Sequence, residues 1–192
     1  MKPLSISMLT ICGISELPDQ STRSVSHVLS ILDPDHPDPD AFQAYDPHHR
    51  TVLRFHDVIE PAPGMILPEP EHVEAILRFG DDLARSGQER ADGHLLVHCH
   101  MGVSRSTAAM LILLVQTYPE ESDEALMQRL AEIRPQAWPN SLMVQFADDM
   151  LSRKGELTEA LRRHYGRQMQ RFPNYGRVMR DLGRGREVEM AV

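Results

Sequence analysis

The sequence predicts an α/β domain with a mostly parallel central sheet flanked by helices. Four short stretches of strand character recur near 4–13, 25–32, 51–55 and 94–98, and helical patterns follow or alternate with them. The last strand runs straight into a glycine-containing loop and a long apolar helix, which puts a reactive side chain at a strand's carboxyl end, where α/β folds place their chemistry.

Each element has its own warrant. Leu4 to Gly13, LSISMLTICG, alternates loosely and reads as a first strand with Cys12 as a small buried residue near its end. Pro18 and two acids between Ile14 and Ser24 indicate a turn or short helix, after which VSHVLSIL (Val25 to Leu32) reads as a second, buried strand with His27 as a core or edge histidine. Asp33 to Arg50 is dense in Pro, Asp and His without apolar periodicity and reads as a loop; its histidines show no metal-ligand spacing on regular elements. TVLRF (Thr51 to Phe55) is the third strand, followed by His56-Asp57-Val58-Ile59-Glu60 and a Pro/Gly-rich stretch to Pro70. Val73, Ile76, Leu77, Leu83 and Ala84 mark 71–86 as an amphipathic helix, with Asp81 and Asp82 facing outward and Ser86-Gly87 ending it.

Further on, Thr107 to Thr117 is apolar nearly all round and reads as a buried helix. Ser122 and Asp123 open another, with Leu126, Leu130 and Ile133 on one face and Pro135 as its stop. A helix beginning near Ser141 turns Leu142, Phe146 and Met150 inward. Beyond Ser152, Leu157 and Leu161 continue a helical pattern, whereas 172–192 is rich in Gly and Arg and is expected to fray. The organisation read from this is one domain over 1–151 and a basic, helical or partly disordered extension over 152–192.

The stretch Leu95–Ser106, LLVHCHMGVSRS, answers the needs of a phosphate-handling nucleophile. Cys99 sits where the strand stops, and Arg105 follows six positions later. If the residues between them curl into a cup, their backbone N–H groups and the Arg fork converge on one tetrahedral anion. Gly102 supplies the permissive backbone such a cup needs. The helix starting near Val103 points its positive dipole end into the cup, and thiols at helix starts beside an arginine ionise more readily than free ones. On a strand, alternation puts His98 and His100 on the side opposite Cys99, which is poor geometry for one shared zinc.

At these residues the chain resembles the cysteine-dependent protein tyrosine phosphatases, most closely the small dual-specificity type: VHCHMGVSRS matches their HC-x5-R-[ST] signature. The resemblance spans roughly 4–150 and implies that family's fold, here with a helical C-terminal extension. It implies Cys99 as nucleophile and Arg105, with the N–H groups of His100, Met101, Gly102, Val103 and Ser104, as the phosphate cradle. Ser106 would hydrogen-bond the sulfur, and His98 would hold the cup and tune the thiolate. A loop aspartate upstream of the cysteine is the family's general acid, and Asp57 matches it. The interval from Asp57 to Cys99, 42 residues, is longer than the family's usual one, so Glu60 is the rival. Asn140, in Trp138-Pro139-Asn140, matches a Pro-Asn turn beside the family's cup; it braces that cup or is an ordinary helix cap.

Composition narrows the classes. Of 192 residues, two are cysteines, which leaves no disulfide framework and leads to the expectation of a reducing, cytoplasmic setting. No signal peptide is expected from the interrupted N-terminal pattern, and the longest apolar run, Ala108 to Val115, is far shorter than a membrane span. The net charge of −8 divides into −13 over 1–151 and +5 over 152–192. An acidic domain repels nucleic acid, and the basic extension suits an acidic partner, the acidic domain itself or a membrane surface. The expected activity is hydrolysis of phosphotyrosine, and of phosphoserine or phosphothreonine, in a phosphorylated protein or small phosphate ester, through phosphocysteine and without cofactor or metal. Alternatives are a phosphoinositide or other small-ester phosphatase, although residues 100–104 contain no Lys or Arg, a rhodanese-type sulfurtransferase, and a phospho-binding module, which would be expected to lack Cys99, Arg105 or the acid.

Overall fold

A computed structural model of the chain describes residues 6–86 and 93–192. Leu4, Ser5 and Gly87, read above into the first strand and the end of a helix, lie outside the described residues. Strands β1 (Ile6–Cys12), β2 (His27–Leu32), β3 (His49–Arg54) and β4 (Gly93–His98) form one sheet in the order β1-β4-β2-β3, with every pairing parallel. The registers Cys12↔His98, Ser30↔His98 and Leu32↔Arg54 bring the four carboxyl ends to one edge, with β4 between β1 and β2.

Burial explains why these stretches are strands. All six residues of β2 are buried, as a continuous apolar run in a parallel sheet requires, and alternation sends neighbours to opposite faces. Leu29, Ile31, Leu95 and Val97 join the main core, while Val28 and Leu96 join a smaller cluster with Cys12, Leu17 and Val25. Helices α1 (Pro70–Ser86), α2 (Arg105–Thr117), α3 (Asp123–Ile133), α4 (Ser141–Met150) and α5 (Glu156–Arg171) contribute side chains to the main core. The smaller cluster is closed by Leu17, between two short 3-10 turns, and by Ala41, Phe42 and Tyr45; the stretch read as a loop over 33–50 holds a 3-10 turn at Asp40–Ala44 and ends where β3 begins at His49. Eleven consecutive residues of α2, Arg105 to Val115, are buried, so this helix is the central one.

The expected fraying of 172–192 does not occur. Those residues form α6 (Tyr175–Asp181) and α7 (Gly185–Met190), because Tyr175, Met179 and Val188 pack into the main core. Gly183, at φ +75°, is the left-handed stop of α6: its N–H bonds the Arg180 carbonyl and the Arg184 N–H bonds that of Met179, a Schellman turn that folds the chain back onto the domain. Arginines beyond residue 151 pair with acids of α3: Arg153 with Asp123 at 2.8 Å, and Arg163 and Arg167 with Glu124 at 3.0 and 2.7 Å. Among the described residues no helix is long and apolar enough to cross a membrane.

Candidate active site

The chain leaves the sheet at Gly13, Asp33, Phe55 and Cys99, all at the carboxyl edge, and these exits supply the site. Cys99 is 2% exposed, and its Sγ lies 3.1 Å from Oγ of Ser106 in the first turn of α2. Arg105 is equally buried. Its Nη1 donates to Asp33 Oδ1 at 2.6 Å and to the Phe55 carbonyl at 2.5 Å, while Nε has no partner among the described residues. A guanidinium tied down through one nitrogen, with a buried Nε left unpaired, is a fork prepared for an oxyanion.

The loop between them is held from outside by its carbonyls. His100 O accepts from Ile14 N at 2.9 Å, Met101 O and Gly102 O from the Arg134 guanidinium at 3.3 and 2.9 Å, and Val103 O from Trp138 N at 2.8 Å. In a trans peptide the C=O and the following N–H point in opposite directions, so four outward carbonyls turn the N–H groups of Met101, Gly102, Val103 and Ser104 inward. Gly102 adopts φ +66° where the loop passes against Cys12 and Gly13. Arg134 is itself fixed by Glu16, whose carboxylate also accepts from Gly13 N at 2.7 Å.

Asp57 lies across the same cleft. Its Oδ1 accepts from Ser104 Oγ at 2.7 Å, Arg184 Nη1 at 2.9 Å and Asn140 Nδ2 at 3.1 Å. Burial pushes this carboxyl up, but Arg184 and Arg105, with the Ser104 and Asn140 bonds, outweigh it and hold the group below its ordinary range. Glu60 is exposed, does not line the cleft, and faces Arg186 at 3.8 Å. Asn140 caps α4, its Oδ1 accepting from Leu142 N and Met143 N, while its Nδ2 reaches Asp57 and the Val58 carbonyl rather than the 99–105 loop. His98 bonds Ser30 Oγ at 2.6 Å, and burial pushes it down to about 4, so it is a neutral imidazole against the Cys99 carbonyl rather than a cation beside the sulfur. The His100 ring packs edge-on against His36 and accepts from Asp33 N, and Met101 is 74% exposed at the rim.

The cleft has a volume of about 380 Å³, with Ser104, Arg105 and Asp57 at its polar end and Tyr175, Val178, Met179 and Leu182 as an apolar wall. The sequence reading above assigns none of that wall, Arg184, Arg134 or Asp33 to the site. Asp33 had a signal, since it directly follows the carboxyl end of a predicted strand. The wall also had a signal, because Tyr175, Val178, Met179 and Leu182 fall at the i, i+3, i+4, i+7 spacing of one helix face. Arg184, in Gly183-Arg184-Gly185, had none. Among the described residues no group of three or more His, Cys, Asp or Glu side chains is arranged to hold a metal ion.

The fold is that of the cysteine-dependent protein tyrosine phosphatases, on the dual-specificity side. Human tyrosine phosphatase-like serine/threonine/tyrosine-interacting protein superposes with a TM-score of 0.57 at 20% identity, covering 78% of this chain and 95% of that one. Human DUSP28 gives 0.55 at 16% identity over 79% and 99%. In sequence, the human protein phosphatase Slingshot homolog 3 is 50% identical over 52 residues, which is 27% of this chain and 8% of that protein. No protein-family model matches the chain.

Proposed function

We propose that the chain is a cysteine-dependent phosphatase acting on phosphotyrosine in a phosphorylated protein, with phosphoserine and phosphothreonine esters as slower substrates. The observation that carries this reading is the convergence on one cleft of a loop with inward N–H groups, the guanidinium of Arg105 and the carboxyl of Asp57, with Cys99 paired to Ser106 at the start of that loop. In the first step the Cys99 thiolate forms a bond to phosphorus as the bond to the ester oxygen breaks. Arg105 and the loop N–H groups hold the equatorial oxygens, and Asp57 gives its proton to the departing oxygen. Water then attacks phosphorus, Asp57 takes a proton from it, and the S–P bond breaks with Ser106 donating to the leaving sulfur. Orthophosphate and the starting thiolate result.

The apolar wall supports an aryl ester, because a ring fills the space beside Val178, Met179 and Leu182 that a serine side chain leaves empty. Extra phosphates are poorly served. Among the described residues two arginines line the cleft: Arg184 is committed to Asp57 and Glu187, and Arg105 belongs to the first phosphate. The test is hydrolysis of an aryl phosphate in chelator, run beside thiosulfate:cyanide transfer. Phosphate release without sulfur transfer is expected, and sulfur transfer without phosphate release overturns the reading.

A further inference from the structure

We infer that Arg184, delivered by the C-terminal segment, is a positioning residue for Asp57: it fixes one carboxyl oxygen so that the other carries the proton to the leaving group. The inference rests on the reading of Asp57 as proton donor. All three donors to this carboxyl, Ser104 Oγ, Asn140 Nδ2 and Arg184 Nη1, bond Oδ1, and none of the described residues bonds Oδ2. A carboxyl with one oxygen saturated by three donors protonates on the other. The anchored oxygen therefore orients the acid.

Arg184 is built into place. It is 4% exposed, and its Nη1 also reaches Ser104 Oγ at 2.9 Å, so it ties the acid to the loop that holds phosphate. Its Nη2 donates to Glu187 Oε1 at 2.7 Å. Glu187 is fully buried and accepts from Trp138 Nε1 at 2.7 Å and Ser141 N at 2.8 Å. The Trp138 backbone N–H in turn holds the Val103 carbonyl. The Schellman turn at Gly183 lets α6 line the cleft and still bring the next residue under Asp57. A surface arginine has no use for a buried counter-ion with two further donors of its own.

The charged groups around Asp57 are Arg184 and Arg105, with Glu187 behind the first and Asp33 behind the second, and His100 across the cleft. Arg184 stabilises the carboxylate, which makes Asp57 a stronger acid but restricts its protonated form to lower pH. The basic limb of the rate profile accordingly sits on the acid side. Removing Arg184 moves that limb upward while loosening the carboxyl.

Arg184 substituted alone leaves Glu187 as a buried unpaired charge, so the comparison is between Glu187→Gln and Arg184→Gln/Glu187→Gln in the full chain. The probes are aryl phosphates whose leaving groups span good to poor. Relative to Glu187→Gln, the double variant is expected to lose on the order of 10–100-fold in kcat on the poorest leaving group, little on the best, with its basic limb at higher pH. A loss that is equal across leaving groups, an unmoved limb or a gain in rate overturns the proposal. If the parent releases no phosphate from any aryl ester, the phosphatase reading fails by itself. The hold on Asp57 is then read from the carbon NMR titration of its carboxyl, which must move to higher pH in the double variant; an unchanged titration overturns it.

Discussion

Gly102→Ala should disable the site while leaving the sheet intact, and the structure sets the size of the effect. At φ +66° a Cβ would stand 2.4 Å from the Cys12 carbonyl carbon, 2.6 Å from Gly13 N and 2.7 Å from the Cys12 carbonyl oxygen. These are backbone atoms, and Cys12 is the last residue of β1, in register with His98, so they cannot move aside. Reaching an ordinary contact of 3.4 Å requires the loop to retreat by about 1 Å. The left-handed backbone adds a cost of about 1–2 kcal/mol for alanine. A displacement of that size carries the N–H groups of Gly102 and Val103 off the phosphate oxygens, and a misplacement of about 1 Å costs on the order of 10²-fold in rate. The assay is kcat/KM on an aryl phosphate beside thermal unfolding and circular dichroism. Expected are a loss of about a hundredfold or more, a Tm lowered by several degrees and an unchanged far-ultraviolet spectrum. Parental activity with parental Tm would mean that the loop does not hold the phosphate.

Two further outcomes follow from Asp57 and from the buried histidines. Asp57→Asn should slow poor leaving groups by roughly 10²–10⁴-fold while good ones leave unaided, and should remove the basic limb of the profile; Glu60→Gln, on an exposed side chain, should do neither. A steep leaving-group dependence in Glu60→Gln alone would move the acid to the other residue. His98 and His164 are each pushed by burial from 6.5 down to about 4, so between those values the unfolded chain binds protons that the folded chain refuses. Their contribution to stability is present above pH ~6.5 and is lost as pH falls toward about 4, at up to about 3 kcal/mol each. Tm should drop across that window and His164→Gln should reduce the slope; a flat Tm would show that these rings are not held neutral.

What was legible in the sequence follows its local physics. The four strands and the helices over 70–86, 105–117, 123–133 and 141–150 were readable because apolar spacing, the Ser122 and Asn140 caps and the Pro135 stop lie within each segment. The loop from Cys99 through Gly102 to Arg105, the proposed phosphate cup, was readable because these residues are neighbours in sequence. The supports were not. Arg134 reaches Gly102 across 32 residues and Glu16 across 118, Trp138 meets Glu187 across 49, and the contact of Arg184 with Asp57 spans 127. The links made by Arg184 and Glu187 exist only once α6 and α7 have docked. Residues 172–192, rich in Gly and Arg, read as a fraying end, yet Gly183 forms the stop that turns the chain back toward Asp57.

The central claim is that phosphate passes through Cys99, and trapping the intermediate tests it most directly. Asp57→Asn mixed rapidly with a radiolabelled phosphate ester of a good leaving group, then quenched in acid, is expected to retain the first step and slow the second, since the proposed mechanism uses the same carboxyl as base toward water. Label on the peptide containing Cys99, absent in the Cys99→Ser counterpart, is the predicted result. Turnover with no label on Cys99, or label on His98 instead, would contradict the account.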